Sequence, residues 1–117
     1  MRRGSKATVA LAFLALLTPI AASAQRYGPM PRDWHAPPWW LAQAVCIHDH
    51  EGAWSDETGN GYSGGMQFTP YTWASVGGQG RASQWPPREQ LYRAWLVYLR
   101  DGSSWREWGT AGMCGLR

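Results

Sequence analysis

Glu51 stands where an apolar stretch gives way to a glycine-rich one, in the order His-Glu-Gly over residues 50–52. A carboxyl group at such a junction, partly removed from water, favours its neutral form because desolvation penalises the carboxylate. It can then keep a proton near neutral pH and give it to a leaving oxygen, which is general-acid chemistry. A lone carboxylate at a helix end is more often a solvated surface group, so the surrounding residues must carry the case. Asp49, Asp56 and Glu57 are the other acids nearby, and His48 and His50 could orient the acid or sense pH. Structural or surface histidines are the commoner reading of such a pair.

Cys46 and Cys114 are the chain's two cysteines. Metal ligation by Cys46 with His48 and His50 would lack a fourth ligand. An oxidising compartment would instead favour a disulfide. That compartment is suggested by the N-terminus: Arg2, Arg3 and Lys6 precede an apolar run over residues 7–20, followed by Ala22-Ser23-Ala24. This is the layout of a secretory signal peptide over residues 1–24, and the run is shorter than the roughly 20 residues that span a bilayer. Cleavage after Ala24 would leave eight arginines against eight acids and no lysine. The formal charge of +3 then falls to zero, and a nucleic-acid or other polyanion partner loses its electrostatic support. The expectation is a secreted or cell-wall protein with no stable membrane association after cleavage.

The elements that must hold Glu51 follow from periodicity and punctuation. Residues 25–38 carry four prolines and no apolar period, so they read as a Pro-rich linker, with one domain over residues 39–117. A first helix from about 39 to 50 places Trp40, Ala44 and Ile47 on one face with Leu41 and Val45 beside them, and Gly52 stops it. By the same spacing Glu51 lies at the C-terminal end of that helix. Residues 53–65 hold glycines at 59, 61, 64 and 65, and the Asn60-Gly61 pair signals a tight turn or a small hairpin. Thr69-Pro70 reads as an N-cap and first-turn proline of a short helix ended by Gly77-Gly78. The clearest helix runs from Pro86-Pro87 to Arg100, with Leu91, Trp95, Tyr98 and Leu99 forming its apolar stripe and Glu89 and the cations mostly off it. Ser104 to Glu107 matches a capping box, so a last short helix is expected to start at Trp105 and stop by Gly109. The fold class expected is α+β, mostly helical, with a Gly-rich loop or minimal hairpin and a Cys46–Cys114 disulfide closing nearly the whole domain. Nine tryptophans, each able to bury on the order of 200 Å², would supply its core.

The run from Thr58 to Trp73, together with Glu51, Trp54 and the two cysteines, resembles the transglycosylase-like domain of the resuscitation-promoting factors. The shared features are the Thr-Gly-Asn-Gly-Tyr turn at 58–62, the Gly-Gly-x-Gln-Phe segment at 64–68, Thr72-Trp73, and Met-Cys-Gly at 113–115. The resemblance covers about residues 40–116. One departure is that the best-known members place the Glu directly after the Cys, whereas here Ile-His-Asp-His separates Cys46 from Glu51. Asp49 is therefore the rival acid, and Glu51 is preferred because its longer side chain borders Gly52 and the loop.

The resemblance implies a small lysozyme-like fold that cleaves the β-1,4 bond between N-acetylmuramic acid and N-acetylglucosamine in peptidoglycan. Glu51 would be the catalytic acid, without metal or cofactor. Gln67 and Thr72 would bind sugar hydroxyl or acetamido groups, and Tyr62 and Trp73 would offer flat faces to sugar rings, although a tryptophan in a small domain is as readily core. Hydrolysis usually needs a second carboxyl group. Thr69 stands where some members carry an acid, which leaves Asp56 and Glu57 as candidates for it. A lytic transglycosylase manages with one acid, because the substrate's own C6 hydroxyl attacks C1. The partners implied are glycan strands and other wall hydrolases, and the chain is expected to be a monomer. A catalytically weak peptidoglycan-binding or signalling module and a lysozyme-type hydrolase are the alternatives.

Overall fold

The computed structural model describes residues 27–117; the expected signal peptide lies outside the described residues. Helix α1 spans Pro38–Asp49, α2 spans Pro70–Ser75 and α3 spans Pro87–Arg100, with 3-10 segments at Ala82–Gln84 and Gly109–Cys114. Each α-helix begins on a proline, whose missing N–H is one the first turn leaves unpaired in any case. Thr69 caps α2 as its sequence suggests, its Oγ1 accepting from Thr72 N at 3.1 Å.

Trp40, Ala44 and Ile47 are fully buried, as the three-and-four spacing on α1 requires. Trp40 is the centre of the aromatic packing. It stacks on Trp105 with centroids 5.1 Å apart and meets the Trp95 ring edge-on at 5.3 Å. Cys46 and Cys114 are bonded, so α1 and the C-terminal 3-10 segment are joined across 68 residues of sequence. One ring nitrogen of His50 and the two sulfurs lie within 4.8 Å of one another, but both sulfurs are spent in the disulfide and are not metal ligands.

The extended structure among the described residues is one antiparallel bridge, Ser63 with Phe68, closed by the turn at 64–67. A minimal hairpin is therefore present, but it sits after the Asn60-Gly61 turn. The Asn60 side chain instead accepts from Tyr62 N at 3.0 Å.

Two further expectations are corrected. No helix starts at Trp105: residues 105–108 form a turn, and the 3-10 segment begins at Gly109. The capping-box pattern fails because the Glu107 carboxylate accepts from Arg100 Nη2 at 3.1 Å instead of reaching back to Ser104. On α3 the buried set is Glu89, Gln90, Tyr92, Arg93, Ala94, Val97 and Tyr98, while Leu99 is 45 % exposed. A stripe built from large apolar residues alone misplaces the inner face, because α3 is covered on a second side by residues 27–37.

That covering segment contains no long helix or strand, yet it is fixed to α3 by named contacts. Trp34 meets Tyr92 edge-on at 5.1 Å, Arg88 donates to the Arg32 and Trp34 carbonyls, and Arg93 Nη1 donates to Gly28 O at 2.9 Å. Arg93 also pairs with Glu89 at 3.0 Å and donates to Val76 O. The two charges can be buried because they pair with each other and the Arg93 Nη groups also reach backbone carbonyls, although the buried Arg93 Nε has no partner among the described residues.

Candidate active site

Glu51 stands two residues beyond the end of α1 at Asp49. The chain tightens there, with His50 N bonded to Ile47 O and Glu51 N to His48 O, both at 3.0 Å. Its carboxylate is half-buried, and Thr110 Oγ1 donates to Oε1 at 2.7 Å. Thr110 lies on the 3-10 segment Gly109–Cys114, the same segment the disulfide ties to α1. The acid is thus held from the C-terminal end of the chain. Thr110 is a site residue that the sequence patterns do not single out, because its pairing with Glu51 depends on a closure spanning 59 residues. The rival acid, Asp49, is exposed at the end of α1.

Behind Glu51, Gly52 permits a close approach. A Cβ at that position would lie 2.5 Å from Asp56 Oδ2 and 3.3 Å from Gln67 Nε2. Gln67 Nε2 donates to Gly64 O at 2.9 Å and to Asp56 Oδ2 at 3.4 Å. Gln67 itself has φ 51°, a left-handed backbone rare outside glycine, which lets the 64–67 turn close. Glu57 points into other contacts, an ion pair with Arg81 at 3.3 Å and a hydrogen bond from Ser83 Oγ at 2.6 Å.

The Gly64-Gly65 pair is set by packing. Gln90, fully buried on α3, accepts from Gly65 N at 2.9 Å and donates to the Trp54 and Trp85 carbonyls. His48 stacks on Trp54 with centroids 4.0 Å apart, and its Nδ1 lies 2.8 Å from Gly65 O. His48 is thus spoken for by the fold, whereas His50 is exposed beside the disulfide.

Two adjoining cavities share Tyr62 and Thr69. One, of about 270 Å³, is also lined by Glu57, Trp73 and Arg81. The other, of about 60 Å³, is also lined by Gln67, Thr72, Glu107 and Trp108. Tyr62 is 47 % exposed and Trp73 only 1 %, with the Trp73 indole N–H donating to Gln79 O at 3.0 Å. Trp73 is therefore a core residue that also reaches a cavity wall. Glu51 lines neither cavity; Gln67, bonded to Asp56 beside Gly52, is the link between them and the acid. A larger cavity, about 600 Å³ between residues 28–30 and α3, shares no lining residue with these two.

Glu107 lines the smaller cavity with Gln67 and Thr72, an acid that sequence reasoning placed only in a capping box. Partial burial pushes its pKa above the ordinary carboxylate value. The neighbouring Asp101 carboxyl acts in the same direction, and Arg100 opposes both.

A small, mostly helical domain with a half-buried acid beside a Gly-rich turn defines a class, and the comparisons agree with it. The model of the transglycosylase-like domain family matches residues 38–111, and the chain belongs to this family. Its fold is the lysozyme-like one the resemblance implied. Resuscitation-promoting factor Rpf of Micrococcus luteus is 41 % identical over 69 residues, which are 59 % of this chain and 29 % of that protein. Resuscitation-promoting factor RpfE of Mycobacterium tuberculosis is 41 % identical over 76 residues, 65 % of this chain and 42 % of the relative. Resuscitation-promoting factor RpfC of Mycobacterium tuberculosis is 31 % identical over 107 residues, 92 % of this chain and 69 % of the relative. The chain spans less than half the length of the first two relatives. No helix among the described residues is long and apolar enough to cross a membrane.

Proposed function

We propose that the protein is a secreted, wall-associated enzyme that cleaves the β-1,4 bond between N-acetylmuramic acid and N-acetylglucosamine in peptidoglycan, as a lytic transglycosylase with Glu51 as its single catalytic acid. The observation that carries this reading is the fixed carboxyl of Glu51, held by Thr110 at 2.7 Å beside the family's glycine-rich turn. In this mechanism protonated Glu51 gives its proton to the glycosidic oxygen as the C1–O bond breaks. The resulting carboxylate then takes the proton of the muramyl C6 hydroxyl as that oxygen bonds to C1. The enzyme ends in its starting protonation state, and the product is a 1,6-anhydro sugar.

Hydrolysis would need a second carboxylate free to activate water or attack C1. Asp56 faces the Gln67 amide and Glu57 is engaged by Arg81 and Ser83, which supports the single-acid route. Tyr62, Gln67, Thr72 and Trp73 would bind the glycan, since all four line the two adjoining cavities. The partner is a glycan strand, with no metal, cofactor or nucleic acid required, and the enzyme works as a monomer.

Digestion of purified peptidoglycan followed by mass spectrometry tests the reading. Products lighter by one water than those of a lysozyme digest are expected. Reducing-end muramic acid as the main product would make the enzyme a hydrolase, and no soluble product from well-folded protein would make it a binding module.

A further inference from the structure

Of the acids near the cleft, Glu107 is the one that lines the same small cavity as Gln67 and Thr72. Most other polar groups there are already engaged. Thr69 Oγ1 accepts from Thr72 N and donates to Thr72 Oγ1, and Gln67 Nε2 donates to Gly64 O and Asp56. A sugar entering this cavity brings several N–H and O–H donors, and Glu107 is the one lining group with a carboxyl to receive them.

Its position is also fixed relative to α2. Arg100 Nη2 donates to Glu107 Oε2 at 3.1 Å, and Arg100 Nη1 donates to Ser75 Oγ at 2.8 Å. Ser75 Oγ in turn donates to Thr72 O at 2.7 Å. The carboxyl and Thr72 therefore belong to one hydrogen-bonded wall. Beneath them Asp101 Oδ1 faces Arg106 at 3.3 Å and Arg100 at 3.7 Å, while the buried Oδ2 receives no N–H or hydroxyl donor among the described residues. Burial and the neighbouring Asp101 carboxyl both raise the Glu107 pKa, against the opposing effect of Arg100. The second Glu107 oxygen still has lone-pair capacity for a ligand.

We propose that Glu107 is a further glycan-binding residue of the cleft, accepting a hydrogen bond from a sugar N–H or O–H beside Gln67 and Thr72. The proposal rests on the peptidoglycan-cleaving reading above.

The test uses the full-length exported protein carrying Glu51→Gln, so that ligand is bound and not consumed, with a β-1,4-linked N-acetylglucosamine tetramer as probe. Adding Glu107→Ala is expected to weaken binding about tenfold, the loss of one hydrogen bond to a carboxyl group. Adding Glu107→Gln, which keeps an acceptor oxygen, is expected to hold affinity within about threefold. The carbon resonance of the Glu107 carboxyl should move on titration with the tetramer, a shift that a purely structural ion pair with Arg100 would not show. Unchanged affinity in Glu107→Ala, or a carboxyl resonance that stays still while the Gln67 side-chain amide moves, overturns the proposal alone. If the Glu51→Gln parent binds no tetramer and the native enzyme releases no muropeptides, the peptidoglycan reading falls and this one with it.

Discussion

Thr110 Oγ1 and Glu51 Oε1 meet at 2.7 Å, although 59 residues separate them. The acid comes from the end of α1 and its hydrogen-bond donor from the 3-10 segment that Cys114 ties to that helix. In the proposed mechanism Thr110→Val should keep the fold and lower kcat by about one order of magnitude, since a hydrogen bond to a charged group is worth roughly 1.5–3 kcal/mol. Glu51→Gln should cost far more, on the order of 10² to 10⁴ in rate, and Asp49→Asn little. Soluble-product release from peptidoglycan measures all three. Loss of activity in the Asp49 variant with retention in the Glu51 variant would reverse the assignment.

The disulfide should matter to both stability and activity. Its removal frees a loop of 68 residues in the unfolded chain, about 4 kcal/mol in the chain-entropy model. The paired variant Cys46→Ala with Cys114→Ala should show a lower urea midpoint. Because Thr110 sits four residues before Cys114, turnover should also fall in conditions where circular dichroism still reports a folded protein. Equal loss of both signals would show that the bond acts on global stability alone.

Much of the scaffold could be read from local pattern. Trp40, Ala44 and Ile47, the Thr69 cap and the Cys46–Cys114 bond all follow from spacing, capping chemistry or cysteine count. What was not legible depends on long-range partners. The apolar stripe on α3 does not reveal that Arg93 and Glu89 turn inward, because their burial requires the carbonyls of Gly28 and Val76. Ser104 and Glu107 have the spacing of a capping box, but Arg100 takes the glutamate and the helix does not form. Likewise Gln67, Thr72 and Glu107 share a cavity that only the folded turn at 64–67 brings about.

Gly65 offers a direct check on the packing behind that turn. An added Cβ would overlap the Trp54 ring and come within 2.8 Å of His48 Nδ1, breaking the stacked pair. Gly65→Ala should cost about 1–3 kcal/mol or more from overpacking. At Gly59 a Cβ meets open space but φ is +77°, so Gly59→Ala should cost only about 1–2 kcal/mol of backbone strain. Thermal melts of the two variants should therefore rank Gly65→Ala as the less stable.

Glu107 has its pKa raised in the fold, first by desolvation and then by Asp101, so the folded state binds its proton more tightly than the unfolded chain does. Its contribution is then fully present below the unfolded value, near 4.5, and is lost as pH rises through the higher folded value. Wild type should accordingly lose stability relative to Glu107→Gln as pH rises through the weakly acidic range. The side chain is one-third exposed, so solvent screening keeps the effect small. Denaturant titrations at several pH values measure the difference. A gap that stays constant, or that moves the other way, would contradict the raised pKa of Glu107.

The buried pair on α3 should also matter strongly to stability. Arg93 and Glu89 have side chains 3 % and 9 % exposed, and Arg93 also satisfies the carbonyls of Gly28 and Val76. Arg93→Met removes three sets of hydrogen bonds and leaves the Glu89 charge without its partner, which in a buried setting costs about 3–5 kcal/mol. Adding Glu89→Leu removes that stranded charge, so the double variant should recover part of the loss. The Gly28 carbonyl would remain unpaired in both variants, so residues 27–37 should be held less firmly against α3. Limited proteolysis should then cut this segment faster in both than in wild type, even where the rest of the domain stays folded. Equal cleavage rates in all three proteins would mean that Trp34 on Tyr92 and Arg88 on the 32 and 34 carbonyls hold the segment without Arg93.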